Sequence, residues 1–261
     1  MSNSICVSYA DLISISPATD ISNVAFASVA LSPAQVHDYA ASCYATSKRN
    51  GFWAEDWPIT RNTAMMTCEM VEVLEVFRKC SGRVKAGVDV PRDALIALME
   101  DSSGLFFRHG EPADELSEDA ADQWYKEAYA KIVKGYPQEE IIDVAIYLLD
   151  AVGHNNWDVL FAYVEDDVNH FLTQAFIERC NPFFNPVSSE YMFRNAHPTE
   201  IACAFYALLF AFKGPVDCHA GLLLRFLEKW MFSMGWDFQW HLRAKMLYNN
   251  LRSPMHGGKK F

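Results

Sequence analysis

The chain has no C-x-x-C pair, no excess of basic residues and no apolar run long enough to span a bilayer. Its seven cysteines are odd in number and scattered, so they form neither a disulfide framework nor a zinc signature. Cys68 and Cys203 lie in apolar helical segments, which predicts two small buried thiols. A formal net charge of −11 argues against broad electrostatic binding to nucleic acid or to an anionic membrane. The longest apolar stretch, Ile201 to Phe212, is too short to cross a membrane. The N-terminal stretch lacks a basic leader and carries Asp11 early, which reads as no signal peptide and as a cytoplasmic location. There is no G-x-S-x-G, no Walker-type loop and no dinucleotide fingerprint.

What is present is a large apolar share, 51% of 261 residues with 14% aromatic, enough for a substantial core. Helical periodicity recurs and strand signals are nearly absent, so the expected class is all-α. Residues 1–31 read as an irregular lead-in to one domain over 32–261. Ser32-Pro33 marks a helix start, with Ser as N-cap and Pro at the first helical position, and the helix runs to Lys48. Further helices are expected at about 62–79, 92–100, 120–134, 138–152 (stopped by Gly153), 157–179, 198–212, 217–234 and 236–252. Residues 81–137 and 159–235 hold elaborations around them. The order Glu69, Cys80, Gly153, Trp157-Asp158 is loosely repeated by Glu165, Cys180, Gly235, Trp236-Asp237. This suggests a degenerate second helical repeat, with Leu222 and Arg225 standing where the first copy has Glu140 and Asp143.

Two acidic signatures carry the chemistry. Glu69 and Glu72, and again Glu140 and Asp143, are spaced i and i+3, which places each pair on one face of a helix. Glu69 and Glu72 share their sector with Met65, Val73 and Val76, while Met70, Leu74 and Phe77 fill the other side. A helix apolar nearly all round is expected to be buried, and a buried carboxylate needs a partner. A hard cation such as Mg²⁺ neutralises such a group of oxygens. For Glu140 and Asp143 a solvated polar stripe with Glu139, Tyr147 and Asp150 fits almost as well, opposite the apolar Val144, Ala145, Leu148, Leu149 and Val152. Asp150 itself reads as a supporting group or a surface acid. Met65, Met66 and Met70 read as core, and Trp53 and Trp57 as loop anchors. Of the eight histidines only His256 has a functional reading.

Three separated blocks resemble the MazG-like nucleoside triphosphate pyrophosphohydrolases, all-α enzymes related to the dimeric dUTPases. They are Asn50-Gly-Phe-Trp53 followed by Glu69-x-x-Glu72 with Arg78; Glu139-Glu140-x-x-Asp143 with Asp150; and Lys245-Met-Leu-Tyr248-Asn249-Asn-Leu-Arg252 with His256 and Lys259. The resemblance covers about residues 37–80, 138–158 and 236–261. It departs from a compact member in the length of residues 81–137 and 159–235. It implies Mg²⁺, with Mn²⁺ as a substitute, held by Glu69, Glu72, Glu140 and Asp143. It also implies hydrolysis of a nucleoside or deoxynucleoside triphosphate to the monophosphate and pyrophosphate, with Glu72 or Glu69 as the catalytic base. Lys245, Asn249 and Arg252 would contact phosphate or sugar, with Lys48, Arg49 and Trp53 as further substrate contacts. A homo-oligomer, first of all a dimer, is expected. The alternatives are a base-specific dUTPase-like enzyme and a catalytically silent helical scaffold that dimerises through Ile201–Phe212.

Overall fold

The computed structural model describes residues 8–13, 29–52, 59–80, 84, 86–101, 107–108, 111–112, 118–157, 193–211 and 217–252. These residues form an all-α fold. Its helices are α1 (Tyr9–Ile13), α2 (Pro33–Arg49), α3 (Ile59–Lys79), α4 (Val90–Asp101), α5 (Glu118–Ile132), α6 (Pro137–Asn155), α7 (Pro198–Ala211), α8 (Asp217–Ser233) and α9 (Phe238–Asn250). Among the described residues the extended structure is one antiparallel pair of two-residue strands, Phe107–Arg108 with Glu111–Pro112.

The starts and stops follow local chemistry. Ser32 caps α2 in a full capping box, its hydroxyl accepting from the Gln35 amide while the Gln35 side chain accepts from the Ser32 amide. Asp237 caps α9, accepting from the Trp240 amide at 3.0 Å. The lead-in is not wholly irregular: α1 forms within it, and Leu12 is fully buried. Gly153 does not stop α6, which continues to Asn155 and ends at Asn156 in the left-handed region, φ 50°. Gly153 is instead the point where α6 crosses α2. A Cβ there would lie 2.3 Å from the Ala40 carbonyl oxygen and 2.9 Å from the Tyr44 Cβ.

The two helices that the sequence pairs as copies close in the same way. After α6, the Trp157 amide donates to the Val152 carbonyl and the Asn156 amide to the Gly153 carbonyl. After α8, the Trp236 amide donates to Met231 and the Gly235 amide to Phe232. Both are Schellman closures with tryptophan in the outer position. The other second-copy landmarks, Glu165 and Cys180, lie outside the described residues, as does nearly all of the helix expected over 157–179.

At the centre is α6, packed along α2 and α3 and touched by α8 and α9. Val144, Ala145, Leu148, Leu149 and Val152 are buried as expected. Packed in this way, α6 turns its acidic stripe towards a cavity. By contrast α3 is amphipathic rather than apolar all round. Met66, Met70, Val73 and Val76 are buried, while Cys68, Val71, Glu72 and Glu75 are exposed. Cys68 and Cys203 are therefore exposed free thiols, contrary to the buried positions expected from their apolar neighbours. In α7, Ile201, Phe205 and Leu208 are consumed by the core, leaving Phe210 exposed.

Candidate active site

A cavity of about 590 Å³ opens between the C-terminal end of α2, the first two-thirds of α3, most of α6 and the end of α9. From α3 it takes Asn62, Met65, Glu69 and Glu72, the successive members of one helix face. From α6 it takes Glu139, Glu140, Asp143, Ile146, Tyr147 and Asp150. Thus all four expected ligands reach one space, although they come from segments some seventy residues apart. Lys245 and Asn249 reach it from α9, Arg252 from just beyond its end, and Lys134 and Gly135 from the turn before α6.

The carboxylates are not equivalent. Glu69, Glu140 and Asp143, all half-buried, each present an oxygen so that the three lie within 4.8 Å of one another. Glu72 lines the same cavity but is exposed and lies outside that cluster. Burial, reinforced by Asp143, Glu72 and Glu140, pushes the Glu69 carboxyl up to about 8. Burial, reinforced by Glu139 and Asp143, pushes Glu140 up to about 8 as well. Asp143 is also raised, mainly by burial, although the Lys245 ammonium opposes the shift. A group of oxygens that retains protons for lack of counter-charge is suited to a cation.

Lys245 supplies part of that counter-charge. Its buried Nζ donates to Glu139 Oε1 at 2.5 Å and to Asp143 Oδ2 at 2.6 Å, and the two carboxylates hold its pKa above the usual lysine value despite burial. Glu139, which the sequence places in a solvated stripe, is 5% exposed and anchors this ion pair. Asp150 is likewise buried and lines the cavity rather than the surface. Tyr248 packs beneath these groups. It stacks on Tyr129 at 4.5 Å, with the Lys134 Nζ 4.9 Å and the Arg252 guanidinium carbon 5.5 Å from its ring centre.

A second buried network sets the relative placement of α4, α6 and α9. Asp89 accepts from His241 Nε2 at 2.8 Å, from the Asp237 amide at 3.0 Å and from Gln138 Nε2 at 3.4 Å. Arg92 lies 4.0 Å from Asp89 and 3.5 Å from Asp237. Burial pushes the Asp89 carboxyl up, but His241 and its other partners outweigh this and hold it below the usual carboxylate range. Gln138 and His241 lie one residue before Glu139 and four before Lys245, so the network fixes the ends of the Lys245 ion pair. Asp-x-x-Arg at 89–92 and Asp-x-x-x-His at 237–241 are legible spacings, but nothing local says that they meet.

Other expectations fare differently. Lys48 sits 5.8 Å from the Tyr44 ring centre, and Arg49 donates to the Asn250 carbonyl at 3.1 Å; neither lines the cavity. Arg78 is exposed, 3.8 Å from Glu75. Met65 lines the cavity rather than the core. Trp53, Trp57, His256 and Lys259 lie outside the described residues. Sequence reasoning missed Arg61, Asn62 and Lys134 in the cavity wall. Arg61 also donates to the Phe52 carbonyl at 2.9 Å, tying α3 to the turn after α2.

Compared with protein-family models, curated proteins and solved structures, the chain matches none. What the fold and the site define is a class: an all-α protein whose central helix carries an acidic cavity. No helix among the described residues is long and apolar enough to cross a membrane.

Proposed function

We propose that this cavity hydrolyses a nucleoside or deoxynucleoside triphosphate, in the presence of Mg²⁺, to the monophosphate and pyrophosphate. The observation that carries the reading is the set of three clustered oxygens from Glu69, Glu140 and Asp143 beside the cationic groups of Lys134, Lys245 and Arg252 in one cavity. The lining holds six carboxylates (Glu69, Glu72, Glu139, Glu140, Asp143, Asp150) against four cations (Arg61, Lys134, Lys245, Arg252). With protons held on Glu69 and Glu140 the metal-free lining is near charge balance, and a divalent cation that displaced those protons would add, at one centre, the positive charge a polyphosphate requires.

The donor set fits Mg²⁺ because it consists of carboxylate oxygens, which this hard ion prefers, and because three protein ligands leave room for water and phosphate. Bound there, Mg²⁺ would polarise a phosphate oxygen and lower the pKa of an attacking water. The chain's own residues do the rest. Arg252 and Lys134 neutralise phosphate oxygens, and Arg252 can do so in a bidentate manner. Lys245 keeps Asp143 oriented through its bond to that carboxylate, while Glu139 steadies the ammonium. Glu72, exposed at the cavity rim and outside the oxygen cluster, is the group left to accept the proton of the attacking water. Water attacks the α-phosphorus, the α–β bridging bond breaks, and pyrophosphate leaves with the electron pair.

The reading is tested by incubating the chain with a panel of ribo- and deoxynucleoside triphosphates and Mg²⁺ and resolving the products by chromatography. Monophosphate and pyrophosphate in equal amounts are expected. A diphosphate with orthophosphate, or no turnover of any member, would overturn it and leave the helical scaffold reading.

A further inference from the structure

One carboxylate in the cavity belongs to two groups at once. Asp143 contributes an oxygen to the cluster with Glu69 and Glu140, and its Oδ2 accepts from the Lys245 ammonium at 2.6 Å. The same ammonium donates to Glu139 Oε1 at 2.5 Å. A carboxylate shared between two positive centres is a usual feature of paired metal sites, whose ions lie about 3.5–4 Å apart. In this cavity a lysine nitrogen already fills one of the two places.

Three features make the ammonium a permanent occupant. It is enclosed, since Lys245 and Glu139 are 4% and 5% exposed and the Tyr248 ring centre lies 6.0 Å from the nitrogen. It stays charged: burial alone would lower its pKa, but Asp143 and Glu139 outweigh this and keep the nitrogen protonated. It is also held in place from one turn earlier on α9, where His241 Nε2 meets Asp89 at 2.8 Å. A magnesium ion keeps several of its waters, so it exchanges poorly with a tethered, already desolvated ammonium. Charge agrees with this. Fully ionised, the six carboxylates and four cations of the lining leave two negative charges, which a single divalent cation cancels.

We propose that Lys245 is a built-in cation standing in the place of a second metal ion, so that the cavity takes one divalent cation, on Glu69, Glu140 and Asp143. This inference rests on the cation site of the reading above, and not on its bond cleavage. Lys245 is then a positioning residue, acting through Asp143, rather than a contact to phosphate. Its removal has a consequence that a merely structural lysine would not have. Two buried carboxylates stripped of their ammonium are left uncompensated, and a second divalent ion is the available remedy.

The test counts Mn²⁺ bound to the whole chain without nucleotide, the free ion being read by electron paramagnetic resonance. Binding that persists after Glu140→Gln combined with Asp143→Asn is subtracted as weak surface binding. The wild type should then saturate at one Mn²⁺ per chain, with the spectrum of an isolated ion. Lys245→Ala should bind two, spin-coupled through Asp143, whereas Lys245→Arg, which keeps the charge, should stay at one. Circular dichroism checks that the variants fold; Lys245→Gln, which retains a donor, replaces the alanine variant if that one does not, and the wild-type count stands without either. Two Mn²⁺ on the wild type, or one on a folded neutral variant, would overturn the proposal. No Mn²⁺ on the wild type would overturn both the proposal and the metal-dependent reaction. Counts of one and two in a protein that hydrolyses no triphosphate would uphold the role of Lys245 and overturn the proposed reaction.

Discussion

Glu69 and Glu140 hold protons that exposed carboxylates would shed, because each is half-buried and, further, crowded by other acids. Without a cation, Glu140→Gln removes the cost of keeping that buried carboxyl protonated above its ordinary pKa and should raise the melting temperature. With Mg²⁺ it should abolish hydrolysis and also the thermal gain that Mg²⁺ confers on the wild type. Scanning calorimetry with and without Mg²⁺ checks both, and an equal thermal gain in variant and wild type would remove Glu140 from the cation site. Lys245 reverses an expectation. The resemblance implies for it only a contact to phosphate or sugar, with no structural role. In the fold, its loss leaves Glu139 buried without its ammonium partner and strips Asp143 of the same charge. Lys245→Met should therefore cost about 3 kcal/mol in urea unfolding as well as turnover, since breaking a buried ion pair strands the remaining charge. A variant that loses activity at wild-type stability would contradict this placement.

At the scale of elements, the helices and their polarity were legible where capping chemistry and period agreed, as in Ser32-Pro33 with Gln35, and in the apolar stripe of α6. The acid spacing in Glu69/Glu72 and Glu140/Asp143 also identified which faces converge. What the spacing could not say is how many neighbours α6 has. That number decides whether Glu139 and Asp150 are solvated or buried, and it depends on contacts between helices distant in sequence. The same blindness explains Gly153, which reads locally as a stop but serves a close helix crossing. Alanine is the better helix former by roughly 1 kcal/mol. Even so, Gly153→Ala should destabilise by about 1–3 kcal/mol, because its methyl would meet the Ala40 carbonyl. Denaturant unfolding decides the sign, and a stabilised variant would mean that α2 and α6 do not approach as described.

For the whole molecule, the raised carboxylates impose an unusual pH dependence. Between about pH 4.5 and pH 8 the folded chain keeps protons on Glu69 and Glu140 that the unfolded chain has released. Glu228, pushed up to about 7 by burial against the stabilising pull of Arg225 and the Leu31 amide, adds to this below pH 7. The unfolded state binds fewer protons across the window, so metal-free stability should fall as pH rises through it. Asp89, held low, acts oppositely: its contribution is present above its ordinary value of 3.8 and lost as pH falls below that. Thermal melts in chelator from pH 5 to pH 8 should show a declining melting temperature, and Mg²⁺ should restore more of it at pH 8 than at pH 5. A melting temperature that rises steadily to pH 8 would deny that burial and crowding hold protons on these acids. The central claim, however, concerns bond cleavage, and hydrolysis of an accepted triphosphate in ¹⁸O-water with Mg²⁺ tests it most directly. Water attack at the α-phosphorus places the label in the nucleoside monophosphate and leaves pyrophosphate unlabelled; label in pyrophosphate, or in released orthophosphate, would contradict it.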